Sequence, residues 1–507
     1  MRKRMLVIVL FSMILLVGCL KQTLSDPLNS DKPITVTIWH YYNGVTMEAF
    51  DRLVSEFNET IGLERGIVVD AKSQGDVNQL ATAIFDTANG AIGSAPMPEI
   101  FASYSDNAFR VHQIVPLVSL EQYFTEEELK SYRKEFLDEG KFITDNKYYI
   151  VPVAKSSENL YVNKTLWEPF AKEHGFTNSD LETWEGIYKV SKTYYEEMGK
   201  SFFGIDSYAN YMMVVCMQLG NEFYIYNDDG TVDLNFNHEN AKMIWDYAYK
   251  PYVNGYYLKS GRFSSDDAKT GSVLAYTGST AGAAYFPVTV SYSEDEMVDI
   301  EPLVLPYPHF ENKQAVAIQQ GAGMCVTKSD KAHEYASMLF LKWLTNKKQN
   351  LKFALSTGYF PVENDALKEV DMLEMIERRV EIKAIGESIK ASNIMFNEYT
   401  LYNSKPFLGS FEMRYFLDTN LINKINNDLE ILNERVSNGG NREALISELC
   451  SEEAFEQWYS NFIDEANMIL KKITRKYDEK IKIPFIFNSI QTSNYYFRHY
   501  NITNTSI

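Results

Sequence analysis

ITVTIWHYYNG, residues 34–44, decides how the rest of the chain is read. Ile34, Val36, Ile38 and Trp39 make a strand, which runs into a knot of aromatics and amides, His40-Tyr41-Tyr42-Asn43, before Gly44. A helical pattern follows at once, with Thr46 as a candidate cap and Met47, Phe50, Leu53, Val54 and Phe57 on one face. GIVVDAK (66–72) reads as a second strand, DVNQLATAIFDTANG (76–90) as a helix closed by Gly90, and PEIFAS (98–103) as a third strand. This β-α-β-α-β rhythm implies a parallel sheet with helices on its faces. In such sheets ligands gather at the carboxyl ends of the strands. His40 to Asn43 and Tyr104-Ser105-Asp106-Asn107 both occupy that position. Trp39 belongs to the strand and is expected in the core.

Further along, Thr125 and Glu128 have the spacing of a capping box, predicting a helix to about Leu137. KFITDNKYYIVPVA (141–154) predicts a hairpin turning at Asp145-Asn146, and the pattern restarts after a crossing near Ala154–Lys155. Helices are expected over 183–199 and 210–220, with a hairpin over 221–237 turning at Asp229-Gly230. A calcium loop there fails on spacing: with Gly230 in the sixth place, Ile225 and Phe236 would be the first and twelfth ligands. SVLAYTGSTAGAAYF (272–286) is a strand breaking into a loop of small residues. AVAIQQGAGMCVTKS (315–329) is a strand interrupted at Gly321 and Gly323, and a helix follows from Ser329 to Thr345. The remainder to about Tyr477 is mainly helical. Residues 478–507 have no periodicity and are expected to be poorly ordered or docked irregularly.

At the other end, MRKRMLVIVLFSMILLVGC has the basic start and short apolar core of a secretory leader. Leu16-Val17-Gly18-Cys19 fits the bacterial lipobox, which makes Cys19 the lipidated residue; the alternative is an ordinary leader with a chance cysteine. Residues 19–33 then read as a polar spacer. Lipidation tethers a protein without embedding it.

Composition narrows the function. The formal charge is −19 over 507 residues, and three basic residues leave with the leader. So acidic a body repels nucleic acid and anionic lipid, and nucleic-acid binding is excluded. Aromatics make up 14% of the chain, enough for large cores and for surfaces that meet ligands with both apolar faces and hydroxyls. Cys216, Cys325 and Cys450 are far apart in apolar or helical settings, with no disulfide framework, and read as inert buried thiols. The seven histidines are scattered without metal-ligand spacing, so no metal site is expected. Nucleotide-cradling glycine motifs are absent, and GSTAG (278–282) puts its serine one place too early for a nucleophile elbow.

Taken in order, the lipobox, TIWH, MEAFDRLVSEFNE, MPEIFASYSDNA, YYIVPVAKSSENLYVNKTLW, YTGST, QQGAGMCVTKSDKAHEYASMLFLKWLT and GYFPV resemble the extracellular solute-binding proteins of ABC importers. The closer likeness is to the carbohydrate-type family that includes maltose-binding protein. The resemblance spans Ile34 to about Tyr477. It implies a two-lobed periplasmic-binding-protein-like α/β fold, each lobe a mostly parallel sheet flanked by helices, with the ligand cleft between them. Lobe 1 would hold residues 34–154 and 320–362, and lobe 2 residues 155–319 and 363–477. Hinge positions would fall at Ala154, Gly321, Gly323 and Pro361. The two glycines equally fit a β-bulge.

The ligand contacts that the resemblance implies are His40, Tyr42 and Asn43, Asp106 and Asn107, Ser157 and Glu158, Tyr208 and Asn210, Gly278, Ser279 and Thr280, and Phe411. Asp106, Ser279 and Thr280 equally suit helix caps, and Glu158 an exposed position. Ala102 and Thr280 stand where maltose-binding protein has tryptophans, so the site is not a copy of its maltodextrin site. The absence of an arginine cluster near the cleft segments argues against a phosphorylated ligand. The expectation is a monomeric, lipid-anchored protein on the outer face of the cytoplasmic membrane. It would capture a carbohydrate, in the first instance an oligosaccharide, without cofactor and without catalysis, and deliver it to the permease subunits of an ABC transporter. A surface glycan hydrolase and a ligand sensor are the alternatives.

Overall fold

The computed structural model describes residues 26–227, 231–261, 263–293, 296–367 and 383–482. The leader, Cys19, the Asp229-Gly230 turn and residues 483–507 lie outside the described residues.

The opening stretch forms the strand Ile34–His40. Its last three residues, Ile38, Trp39 and His40, are all buried, so both faces of the strand are covered there, as in the middle of a parallel sheet. It runs parallel to Ile67–Ser73 on one side and to Ile100–Ser103 on the other. A strand from far downstream, Gly323–Val326, pairs antiparallel with Ile100–Ser103 and completes the sheet. The helix Gly44–Phe57 buries Phe50, Leu53, Val54 and Phe57. It begins two residues before Thr46, with Asn43 as the cap, because Gly44 takes a φ of +48° and turns the chain straight from strand into helix.

The capping box at Thr125 and Glu128 forms, with Glu128 N–H donating to the Thr125 hydroxyl at 3.2 Å and the Glu128 carboxylate accepting from Thr125 N–H at 2.7 Å. The helix nonetheless ends at Ser131 and restarts as Lys134–Asp138. Tyr132 breaks it: its ring is buried and its hydroxyl bonds the Thr345 hydroxyl at 2.6 Å, a tertiary tie that outweighs helix propensity.

A second sheet has the order Pro302–Leu305, Glu158–Asn163, Ala275–Ser279, Phe203–Ile205. Glu158–Asn163 is buried along its whole length and antiparallel to both neighbours, while Ala275–Ser279 and Phe203–Ile205 run parallel. Its core is strongly aromatic: Trp184 meets Tyr211 edge-on at 5.0 Å, and Trp245 packs against Trp458 and Phe455 of the C-terminal helix Glu452–Lys482. Cys216 and Cys325 are buried free thiols, and burial pushes Cys216 up to about 12, well away from thiolate chemistry.

Each sheet has its own core, and three chain segments join the two bodies. Val151 and Met324 exchange backbone hydrogen bonds, as do Ser156 and Gln320, and Phe360 N–H donates to the Lys155 carbonyl at 2.7 Å, just before Pro361. Gly321 sits at φ +90°, and a Cβ there would lie 2.1 Å from the Ala154 carbonyl oxygen. At Gly323 a Cβ would lie 2.4 Å from Ile150 Cγ2 and 2.5 Å from the Val151 carbonyl oxygen. Both glycines allow backbones to close on each other, and Gly321 also supplies a conformation that costs other residues strain. Gly321→Ala is expected to cost at least about 2 kcal/mol, read as a lower urea midpoint than wild type.

Candidate functional site

Where the two bodies face each other beside these crossings lies a cavity of about 50 Å³. The first body contributes Tyr104, Ser105 and Asp106, at the carboxyl end of strand Ile100–Ser103, together with Glu139. The crossing contributes Gln319 and Gln320. The second contributes Tyr224, Lys405, and Ser410 and Arg414 from the first turns of the long helix Ser410–Ser437. A strand end in one body thus faces a helix start in the other, the arrangement expected of a ligand cleft.

A chain of polar contacts supports the floor. Glu158 is 2% exposed, and its Oε1 accepts from Asn210 Nδ2 at 2.6 Å and from Gln320 Nε2 at 2.7 Å. The Asn210 side-chain oxygen in turn accepts from Arg414 Nη2 at 3.2 Å. Burial raises Glu158 to about 7, against the downward pull of the two amides and Arg414. Asp106 is also raised by burial, and the Arg414 guanidinium is the main opposing influence. Behind Gln319, the Glu139 carboxylate takes Gln319 Nε2 at 2.7 Å and the buried Lys155 ammonium, which also donates to the Gly321 carbonyl. Gln319 and Ser410 both line the cavity, and Gln319 Oε1 and Ser410 Oγ are buried with no hydrogen-bond partner among the described residues.

Arg110 spans the seam. Its guanidinium lies between Phe85 of the first body, 3.9 Å from the ring centre, and Phe411 of the second, 4.0 Å away, while Nη2 donates to Asn107 Oδ1 at 2.7 Å. Tyr285 of the second body donates to Asn43 Oδ1 of the first at 3.3 Å.

Of the residues singled out from the sequence, Asp106 lines the cavity, Glu158 and Asn210 hold the residues that do, and Phe411 packs at the seam. The others are placed differently. His40 is 1% exposed and accepts Tyr42 N–H on Nδ1 at 3.2 Å, and burial lowers it to about 4, so it is neutral. Tyr42 stacks on His40 inside the first core. Asn107 donates to the Ser103 hydroxyl. Ser157 and Thr280 bond each other, with Ser157 Oγ donating to the Ile318 carbonyl at 2.7 Å. Gly278 and Ser279 are ladder residues opposite Asn159 and Glu158, and Tyr208 is buried near Tyr252.

Glu139, Gln319, Gln320, Tyr224, Lys405, Ser410 and Arg414 were not singled out from the sequence. Only Arg414 had a usable signal, since it lies three residues beyond Phe411 and shares its helix face. Sequence reading expected no arginine cluster near the cleft segments; Arg414 lines the cavity, and Arg110 packs against Phe411 at the seam.

The sequence matches the model of a bacterial extracellular solute-binding protein family over residues 52–379. No curated protein sequence matches the chain. Among solved structures, the cyclic α-maltosyl-1,6-maltose binding protein of Arthrobacter globiformis is 18% identical, with a TM-score of 0.61 over 87% of this chain and 100% of that one. UgpB from Mycobacterium tuberculosis in complex with glycerophosphocholine is 16% identical, with a TM-score of 0.62 over 87% and 99%. An ABC substrate-binding protein from Listeria monocytogenes in complex with cycloalternan is 14% identical, with a TM-score of 0.60 over 87% and 100%. The fold is that of a two-lobed solute-binding protein. The chain belongs to the bacterial extracellular solute-binding family. No described helix is long and apolar enough to cross a membrane.

Glu158 makes the site testable by pH. A carboxyl raised from 4.5 to about 7 binds protons more readily folded than unfolded, so its contribution is most favourable below pH 4.5 and is lost as pH rises through 7. Glu158→Gln keeps an oxygen for both amide donors and removes the charge. The variant is expected to be more stable than wild type at pH 8 by up to about 3 kcal/mol and equal to it near pH 4, in denaturant titrations at both pH values.

Proposed function

We propose that this protein captures a carbohydrate in the cleft between its lobes and hands it to the permease of an ABC importer. In this reading it is anchored through Cys19 on the outer face of the membrane. The observation that carries the reading is the seam cavity itself. It is lined from both lobes, and two of its residues carry buried polar atoms, Gln319 Oε1 and Ser410 Oγ, that have no partner among the described residues, with Tyr104 and Tyr224 in the same lining. A buried acceptor and hydroxyl left unpaired each cost about 1–3 kcal/mol, which a ligand rich in hydroxyls recovers while its apolar ring faces meet tyrosine. Ligands of this kind appear among the structural neighbours, one a cyclic α-maltosyl-1,6-maltose binding protein and one in complex with cycloalternan.

Small-molecule pockets measure about 300–1,000 Å³. The 50 Å³ here is room for a water or two, so a sugar enters only when the lobes part. Residues 34–154 with 320–362 would swing against 155–319 with 363–477 about the three crossing segments. Arg110 between Phe85 and Phe411, and Tyr285 on Asn43, would hold the closed form. A ligand that touches both lobes favours that form, and the permease reads the closed state.

Thermal melts of the full chain against neutral and acidic mono- and oligosaccharides, glycerol phosphodiesters and polyamines test this. A sugar at a hundred times its Kd is expected to add about 2.7 kcal/mol of stability and to be recovered intact. Recovery of a cleaved glycan, or stabilisation by polyamines alone, overturns the reading.

A further inference from the structure

The charges in the cleft narrow the class of sugar. Four charged side chains line the cavity: Asp106, Glu139, Lys405 and Arg414. Glu139 is committed, since its carboxylate already takes the Lys155 ammonium and the Gln319 amide. That leaves two cations against one carboxylate. Asp106 accepts its neighbour Asn107 N–H at 2.7 Å, and burial raises it against the pull of Arg414.

Arg414 is the more telling of the two cations. Its side-chain hydrogen bond goes to a neutral amide oxygen, that of Asn210, and its guanidinium lies over the Tyr104 ring, 5.7 Å from the centre. The carboxylates that act on it, Asp418, Asp106 and Glu158, do so through space. Asp418 is occupied by the Ser207 hydroxyl and the Ala209 N–H, where it fixes the start of the helix Tyr208–Gln218. Together the three carboxylates outweigh burial and hold the guanidinium charged, with most of its planar fork free of hydrogen bonds among the described residues. That fork fits the paired oxygens of a carboxylate or phosphate. Lys405, held over the Tyr226 ring at 5.0 Å, approaches the same cavity from the exposed rim. Local cations on so acidic a protein run against its overall field, which by itself would repel an anion.

We infer that the solute is an acidic saccharide, a sugar carrying a carboxylate or phosphate group that sits between Arg414 and Lys405 while its hydroxyls meet Gln319 and Ser410. This rests on the carbohydrate reading above and adds the charge. Tyr104 and Tyr224 would then flank the ring that bears the acid, with the neutral part of the sugar extending toward the seam.

The test is calorimetric titration of the full chain in detergent with matched pairs: a neutral galactose disaccharide against digalacturonate, and a neutral hexose against its 6-phosphate. Wild type is expected to bind one acidic member at least about thirty-fold more tightly than its neutral partner, the ~2 kcal/mol of a charged hydrogen bond. Whether the uronate or the phosphate wins identifies the acid. Arg414→Gln is expected to abolish the preference, and Lys405→Ala to reduce it several-fold. Because Lys405 is exposed, its variant decides the matter if Arg414→Gln fails to fold. Neutral sugars binding as tightly as acidic ones, or Lys405→Ala keeping the full preference, overturns this inference and leaves the carbohydrate reading standing. Binding of neither member of either pair overturns both.

Discussion

Gly321 pressed against the Ala154 carbonyl is the contact on which the rest of the molecule depends. Only a residue without a side chain lets these two crossing segments run so close, and that closeness puts Gln319 and Gln320 at the floor of the cleft. The same approach brings the Gly321 carbonyl onto the Lys155 ammonium, which is buried against Glu139. A buried ion pair seldom adds net stability, because desolvation consumes most of the attraction. Here the Gln319 amide and the Gly321 carbonyl satisfy its remaining polar groups, and the pair's evident effect is to fix geometry. It ties the helix end at Glu139, in one lobe, to the backbone that links both.

From that floor a line of polar side chains leads into the second lobe: Gln320 and Asn210 converge on Glu158, and Arg414 donates to Asn210. At its centre, where Asn210 meets Glu158, the line is buried, so that hydrogen bond is stronger than in water and a missing partner there is more costly. Gln319 Oε1 and Ser410 Oγ break the pattern, and they do so at the cavity wall. Elsewhere the seam is closed by rings and cations, with Arg110 stacked between aromatics from both lobes and Arg133 over Phe396. Contacts of that kind cost little to part, as the proposed opening of the cleft requires.

Much of the first lobe could be read from the sequence, because its strands and helices announce themselves by periodicity and by glycine and capping signals. The first three strands appear where the pattern put them, and the capping box at Thr125 forms. The same local reasoning failed at Tyr132, where a hydrogen bond to a residue more than two hundred positions away ends the helix. It was silent at the knot after the first strand: nothing local tells a tyrosine turned into the core from one facing a ligand, and Tyr42 is 2% exposed.

The amino-acid sequence by itself determined the family, the strand-helix order, the acidic body and the glycine at the crossing, all properties of neighbouring residues or of composition. The tertiary structure alone decided which charges meet. Arg110, Glu139, Glu158, Gln319 and Arg414 come from five separated segments, and no spacing in the chain encodes their convergence. Their chemistry depends on it, because a carboxylate at the surface titrates near its ordinary value and the same carboxylate inside the seam is raised to about 7.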